Sequence, residues 1–250
     1  MKAPSELNHR ILAIDTSSRA GVVVLADIPV GQFQSVTITS GLTHGRELVP
    51  TIQQIFQKAG LVFSQLDAIA VGIGPGSYTG LRVGMAVAKT LAEVVDKPCL
   101  AIDSLILPVL NLPEHEKIAV SIADAQRGAI YEAVYEKPNP GIPWYCIQPP
   151  CIRPWSDLNR WSKVPEAVIT GPGLVLSGKL GMPMARMAGE EIWSPSHEGM
   201  QRLLAEYLRY CPEVDRYQIE PLYIRPSAAE EKLQEKLTNI APPSLKPDLK

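Results

Sequence analysis

The architecture is indicated most clearly by the stretch GIGPGSYTGLRVG, residues 72–84. An apolar run, residues 67–71, leads into it, and a helical pattern of apolar residues follows it. Glycines on both sides of Pro75 permit backbone conformations with positive φ, and Ser77 or Thr79 can cap a helix by accepting its unpaired N–H groups. The stretch therefore predicts a strand, a glycine-rich turn and the first turn of a helix.

Junctions of this kind bind phosphate in many proteins, because the N–H groups and the dipole of the helix attract anions. A plain strand-to-helix turn has the same signature, however, and the Gly-Lys-Ser/Thr of the Walker pattern is missing from residues 72–84. Both interpretations stay open on the loop alone.

Composition indicates a globular protein with a sizeable core. The chain has 250 residues, 46% of them hydrophobic, and a formal net charge of −2, so it has room for one large domain or two small ones. No run of Lys or Arg provides an extensive nucleic-acid surface. No signal-peptide pattern and no long apolar span occurs, so we expect a cytoplasmic protein that does not enter a membrane.

The cysteines and histidines form no local metal motif. No Cys-x-x-Cys occurs, and no two histidines lie within one helical turn of each other. We therefore expect reduced thiols and no local metal site, while a composite metal site built from distant residues stays open. The residues concerned are Cys99, Cys146, Cys151, Cys211, His9, His44, His115 and His197.

The second half of the chain repeats the pattern of the first. Residues 10–15 form an apolar run that ends in Asp15, and an arginine-bearing turn, a glycine and a second β-type run follow. Residues 117–135 have the same order around Asp124, and Gly171-Pro172-Gly173 echoes Gly74-Pro75-Gly76. A duplicated β-β-β-α-β-α unit is the economical interpretation. It predicts an α/β fold with two subdomains, residues 1–105 and 106–225, each with a mixed sheet flanked by helices.

The second copy is predicted to be degenerate. Residues 138–155 are rich in proline, which confines strands to sheet edges. A clear helical pattern returns only near residues 201–210. The polar tail, residues 226–250, is predicted to be partly disordered.

Two amphipathic helices are predicted in the first half, and each has a stripe that needs a partner. In the first, Leu48 and Ile52 recur at helical spacing, and Pro50 marks either the start of the regular helix or a kink. In the second, roughly residues 79–95, the small residues Gly80, Gly84 and Ala88 favour close approach of another backbone. That backbone belongs either to the chain's own sheet or to a partner's helix.

The duplicated hairpins and glycine loops resemble the actin/sugar-kinase/Hsp70-like ATPase architecture. More narrowly, three motifs resemble the bacterial TsaB (YeaZ) family: residues 14–17 (IDTS), residues 44–50 (HGRELVP) and residues 74–84. The resemblance continues through residues 88–92, 124–131 and 221–226, and so covers most of the chain. Tyr78 stands where phenylalanine is usual, and Gln126 and Ala129 stand where arginine and glutamate are common.

The resemblance implies a non-catalytic subunit in the synthesis of N6-threonylcarbamoyladenosine at position 37 of tRNAs that read codons beginning with A. It implies a heterodimer with a TsaD-type paralogue, a TsaE-type ATPase in the assembly, a homodimer when alone, and only indirect contact with tRNA. TsaD-like proteins hold their metal through an HxxxH pair after the fifth strand of the first half. Residues 101–108 (AIDSLILP) contain no histidine at that place.

The predicted partner interface lies on the two amphipathic helices. A leucine at position 84 is expected to block the TsaD-type partner while the monomer stays folded. The interface residues are His44, Leu48, Ile52, Gly80, Arg82, Gly84 and Ala88.

The alternative is an autonomous ATP-dependent kinase or ATPase of the same architecture. It would use the glycine loop and the first hairpin, with Asp15 either near a metal or simply ending its strand. If the protein is instead a non-catalytic scaffold subunit, ATP or ADP binds only at a composite interface with its partners. The weak phosphate-loop candidates are Asp15, Thr16, Ser17, Gly74, Gly76 and Ser77.

Overall fold

A computed structural model describes residues 9–38, 44–208 and 211–225. The predicted disorder of residues 226–250 falls outside these ranges.

The first half of the chain forms a six-stranded mixed sheet. Its strand order is β10-β5-β4-β1-β2-β3, with β1 parallel to β4 and antiparallel to β2. Its strands are β1 (Arg10–Asp15), β2 (Gly21–Asp27), β3 (Gln32–Ile38), β4 (Ala68–Gly74), β5 (Cys99–Asp103) and β10 (Glu213–Val214). The predicted strand at the start of the glycine-rich stretch is thus β4.

Two long helices cover one face of this sheet, α1 (His44–Ala59) and α2 (Tyr78–Val95). Pro50 lies inside α1, so the helix does not begin there. Successive strand residues point to opposite faces: Leu12 and Ile14 pack with α1 and α2, whereas Ile11 and Ala13 pack toward the second sheet. Burial of both faces explains why β1 and β2 are almost continuously apolar.

The second sheet repeats the hairpin and parallel strand of the first. Its order is β8-β7-β6-β9, with β6 antiparallel to β7 and parallel to β9. Met187 forms an isolated parallel bridge with Ile169, where the first sheet has its fifth strand. The strands are β6 (Ile118–Asp124), β7 (Ala129–Glu136), β8 (Tyr145–Pro154) and β9 (Ala167–Thr170). The duplication predicted from sequence is confirmed at the level of topology.

The helices of the second half are short, as expected of a degenerate copy. The proline-rich strand β8 lies at a sheet edge, as predicted. The helical elements after β5 are α3 (Ile106–Val109), 3₁₀ turns at Trp155–Lys163, Pro172–Leu176 and Glu190–Ile192, α4 (Ser177–Leu180), and α5 (His197–Arg202), which continues as a π-helical turn at Leu203–Tyr207. Two further 3₁₀ turns lie in the first half, Ile28–Val30 and Phe63–Gln65.

The predicted extent of the second subdomain, residues 106–225, needs a correction. β10 joins the first sheet beside β5, and α5 packs on β2 and β3. A single apolar core therefore contains residues of both sheets and of the C-terminal helix, among them Ala13, Ala119, Tyr135 and Leu203. The chain leaves the first sheet after β5 and returns to it near its C-terminus.

Candidate functional site

The glycine loop, residues 72–77, packs directly against the first hairpin turn, residues 16–20. Asp15 at the end of β1 is fully buried. Its Oδ1 accepts hydrogen bonds from the backbone N and the Oγ of Ser17, at 2.9 and 2.7 Å, and its Oδ2 accepts one from Ser104 Oγ at 2.6 Å. Ser104 Oγ in turn accepts the N–H of Gly74 at 3.0 Å. Asp15 thus joins the ends of three neighbouring strands.

Three glycines permit this close approach. A Cβ on Gly72 would lie 1.9 Å from Asp15 Oδ2, and one on Gly76 would lie 2.2 Å from the carbonyl oxygen of Ser17. On the next turn, a Cβ on Gly80 would lie 2.0 Å from the carbonyl oxygen of Thr16. Such contacts are too short for real atoms, so a side chain at position 76 or 80 must displace the backbone of the hairpin turn, and one at position 72 must displace the Asp15 carboxylate.

The predicted phosphate-loop residues lie close together, and their hydrogen bonds join them to one another. Ser77 caps α2 by accepting the N–H of Gly80, and its own backbone N–H donates to Ser17 O at 2.6 Å. Thr16 Oγ1 donates to Gly80 O at 2.7 Å. These residues therefore bond to one another and to the chain's own backbone, and phosphate binding by them stays a prediction. Binding of ATP or ADP at a composite interface stays a prediction.

The second hairpin turn resembles the first, but within the described ranges its aspartate, Asp124, bonds only inside the turn. Asp124 accepts the backbone N–H of Gln126 at 2.6 Å, an ordinary Asx turn. Gln126 and Arg127 both have positive φ, 68° and 55°. A Cβ on Gly171 would lie 2.3 Å from Ile122 O in β6, whereas one on its counterpart Gly74 would lie 2.8 Å from Leu81 Cδ1 in α2. The two Gly-Pro-Gly turns thus follow equivalent strands but make different contacts.

The partner-interface prediction needs a correction for five of its seven residues. Leu48, Ile52 and Ala88 are buried at 0%, 2% and 0% exposure, inside the core between the helices and the first sheet. Gly80 and Gly84 face Thr16, and a Cβ on Gly84 would lie 2.3 Å from Thr16 Oγ1. The stripes therefore pack against the chain's own sheet. A leucine at position 84 is expected to disturb the fold, contrary to the sequence-based expectation.

Of the other two predicted interface residues, Arg82 is exposed. His44 is the first residue of α1. The guanidinium of Arg82 lies 4.1 Å from the centre of the Tyr78 ring, and Arg82 Nε donates to Tyr223 Oη at 3.2 Å. Arg82 is thus engaged by the C-terminal part of this chain.

The outer faces of α1 and α2 form one continuous exposed surface. We define the outer face by Gly45 and Val49 of α1 together with Val83, Ala86 and Val87 of α2. Gly45 and Val83 are neighbours across the two helices. Val49 is 47% exposed, Gly45 and Ala86 are exposed, and Val83 and Val87 are half-buried. The residues that define this surface have small, uncharged side chains.

Sequence reasoning missed the role of the C-terminal segment, residues 215–225. Leu222 N donates to Ile73 O at 2.7 Å, beside the glycine loop. Arg225 donates to the carbonyl oxygens of Ala125 and Gln126 in the second hairpin. The segment therefore runs from the first sheet along α2 to the second sheet. The only sequence signal was the motif at residues 221–226, which carried no structural meaning by itself.

Two features are absent from residues 9–38, 44–208 and 211–225. No group of three or more His, Cys, Asp or Glu side chains there is arranged to hold a metal ion. No helix in the same ranges has the length and hydropathy needed to cross a bilayer.

Two sheets of related topology, each with a glycine-rich turn after a parallel strand, give the chain an α/β fold similar to that of YeaZ. YeaZ from Pseudomonas aeruginosa superposes with a TM-score of 0.71 at 22% identity, over 86% of this chain and 99% of that one. The family profile "TsaD: tRNA N6-adenosine threonylcarbamoyltransferase" matches residues 39–140.

Curated proteins named TsaB are similar to this chain in sequence. The TsaB protein of Escherichia coli K12 is 27% identical over 229 residues, which are 90% of this chain and 98% of that protein. The TsaB protein of Haemophilus influenzae is 35% identical over 135 residues, so that alignment spans 52% of this chain and only 56% of that protein. The chain is thus similar to TsaB proteins in sequence and to YeaZ in fold.

Proposed function

We propose that this protein acts in the biosynthesis of threonylcarbamoyladenosine in tRNA, as a non-catalytic subunit that binds a TsaD-type paralogue. Its relatives named for this pathway support the role, and the TsaD-family similarity at residues 39–140 supports a partner of related fold. Those residues contain α1, the glycine loop and α2. Transfer of the modification to position 37 of tRNAs reading codons that begin with A, with a TsaE-type ATPase in the assembly, belongs to the same proposal.

The outer face is the observation that carries the proposal. Exposed, uncharged, small side chains on two adjacent helices permit a second pair of helices to pack closely. The buried stripes beneath it hold the two helices in place against the first sheet, so the face is preorganised. A homodimer of the isolated protein would use the same face, since paralogous subunits share a fold and a two-fold interface uses one patch twice.

A second feature supports a non-catalytic role. The segment after β5, where the resemblance implies a metal-binding HxxxH pair in the catalytic paralogue, contains Ser104 and a run of buried apolar residues. Ser104 is committed to Asp15, and Leu105 and Leu107 are 1% and 0% exposed in the shared core. Apolar side chains supply no ligands to a metal ion.

Replacing Val49 by glutamate is expected to prevent association with the TsaD-type subunit. The substitution places a charge at the centre of the outer face, where docking would remove it from water without a partner charge, and we expect affinity to fall at least about tenfold. Ala86→Glu should act in the same way from α2. Affinity is measured by titrating the purified subunits in an analytical ultracentrifuge, and tRNA modification is measured by mass spectrometry of nucleosides.

Met184→Glu is the matched control, because Met184 is 76% exposed and lies in the loop after α4, in the second half of the chain. It should leave both affinity and modification unchanged. Full association of Val49→Glu and Ala86→Glu with the partner would contradict the proposed face.

The autonomous ATPase alternative is tested on the same preparation. Calorimetric titration of the isolated chain with ATP and magnesium should give no micromolar binding if the scaffold proposal holds. Micromolar binding together with ATP hydrolysis by the isolated chain would favour the alternative.

A further inference from the structure

A cavity of about 430 Å³ lies where the two sheets and the C-terminal helix meet. The first sheet contributes Asp103 and Ala101 from β5. The second sheet contributes Tyr135 from β7 and the start of β8, and the π-helical end of α5 contributes Tyr207. The volume is within the range of pockets that take small organic ligands, roughly 300–1,000 Å³. It lies apart from the residues that define the outer face.

Among the residues that the structure describes, Asp103 is the only charged one that lines this cavity. Its Oδ1 accepts the backbone N–H of Leu105 at 3.0 Å, and its Oδ2 accepts the hydroxyl of Tyr135. A carboxylate has about four acceptor positions, so two donors leave capacity for more. Across residues 9–38, 44–208 and 211–225, no Lys, Arg or His forms an ion pair with Asp103. The carboxylate is therefore held in place by neutral donors.

The remaining walls are mostly apolar and aromatic. Four aromatic side chains line the cavity, Tyr135, Trp144, Tyr145 and Tyr207, together with aliphatic groups such as Leu203. The Tyr207 hydroxyl is fixed by the backbone N–H of Trp144 at 2.7 Å. Aromatic faces attract cations and also bury apolar surface. A negative group at one point of an aromatic cavity thus selects a ligand with one cationic end and an apolar body.

We propose that this cavity binds a compact organic cation, an amine on an aromatic or aliphatic body, with its ammonium group against Asp103. A neutral ligand of the same shape would gain the apolar contacts but not the charge pairing. An anion would meet the carboxylate and be excluded. The cavity is independent of the proposed partner face, so its test does not depend on complex formation.

The test uses 2-phenylethylamine as the probe and 2-phenylethanol as its neutral counterpart. Both are titrated into the full chain at pH 7.5 by ligand-observed NMR. We expect the amine to bind at least about tenfold more tightly than the alcohol. Asp103→Asn should abolish that preference while leaving the melting temperature close to that of the wild type.

Asp124→Asn is the matched control. Asp124 also ends a strand and also accepts the N–H of the residue two positions ahead, but it does not line the cavity. Amine binding should be unchanged in this variant.

Two cysteines of β8 locate the bound probe. Cys146 lines the cavity, whereas Cys151 lies on the same strand and does not. Bound amine should slow alkylation of Cys146 by iodoacetamide and leave Cys151 unaffected, as measured by peptide mass spectrometry. Equal binding of amine and alcohol, an undiminished preference in Asp103→Asn, or no binding of the amine at millimolar concentration would overturn the proposal.

The pH dependence of amine binding gives a second test of the proposal. Burial raises the pKa of Asp103 to about 6, partly offset by the bonds from Tyr135 and Leu105. The other ionisable groups that act on it are Asp15, Tyr135, Cys146 and Cys211, and burial raises the pKa values of the phenol and of both thiols. The preference for the amine over the alcohol should therefore disappear as the pH falls through about 6. A preference that persists at pH 5 contradicts the assignment to Asp103.

Discussion

Gly80→Ala is expected to destabilise the protein by about 2–4 kcal/mol, although alanine is the better helix former. The new Cβ would lie 2.0 Å from the carbonyl oxygen of Thr16, a backbone atom that cannot rotate away. Relief of the clash also breaks the bond from Thr16 Oγ1 to Gly80 O. Thermal unfolding followed by circular dichroism measures the effect, which corresponds to a fall in melting temperature of about 5–15 °C.

Gly45→Ala is the control for this prediction. Gly45 also lies in the first turn of a helix, but a Cβ there meets only Val83 Cγ2 at 4.0 Å. Alanine should therefore leave stability unchanged or raise it by up to about 1 kcal/mol. The opposite signs of the two substitutions distinguish close packing from helix propensity. A Gly80→Ala variant as stable as the wild type would mean that α2 does not rest on the first hairpin.

Asp15→Ala is expected to cost about 3–4 kcal/mol of unfolding free energy. The substitution removes the acceptor for the backbone N–H and hydroxyl of Ser17 and for the hydroxyl of Ser104, all in a site without water access. Urea unfolding gives the change in free energy. Loss of any activity in this variant would accordingly report a damaged fold rather than a missing catalytic group.

Asp124→Ala is its counterpart in the second half. Asp124 is only partly buried and supports a single turn through Gln126, so the expected cost is about 1 kcal/mol. Equal costs for the two aspartates would show that the Asp15 network contributes no more than an ordinary Asx turn.

Local sequence patterns predicted the strands and helices of the first half well. The apolar run before Gly72 is β4, the helix predicted at residues 79–95 is α2, and the echo at Gly171 is the equivalent turn of the second sheet. These features depend on residues that are close in sequence. The alternation of a strand and the 3.6-residue repeat of a helix are both visible within a short stretch of consecutive residues.

The contacts of the candidate site could not be predicted in the same way. Small residues at Gly80 and Gly84 indicate close approach of a backbone, but spacing does not say which one, and Thr16 lies 64 residues before Gly80. Similarly, Arg225 meets a carbonyl 100 residues away. Such pairings follow from how the two sheets assemble, and no local pattern encodes them.

The C-terminal segment has a consequence for motion. Proteins with two lobes around a cleft commonly work by hinge closure, in which one lobe rotates against the other. Here Leu222 is bonded to the glycine loop of one lobe, and Arg225, three residues later, to the hairpin of the other. A rotation that separates the lobes must break one of these attachments. The segment thus links the two sheets, and its bonds oppose a rotation that would separate them.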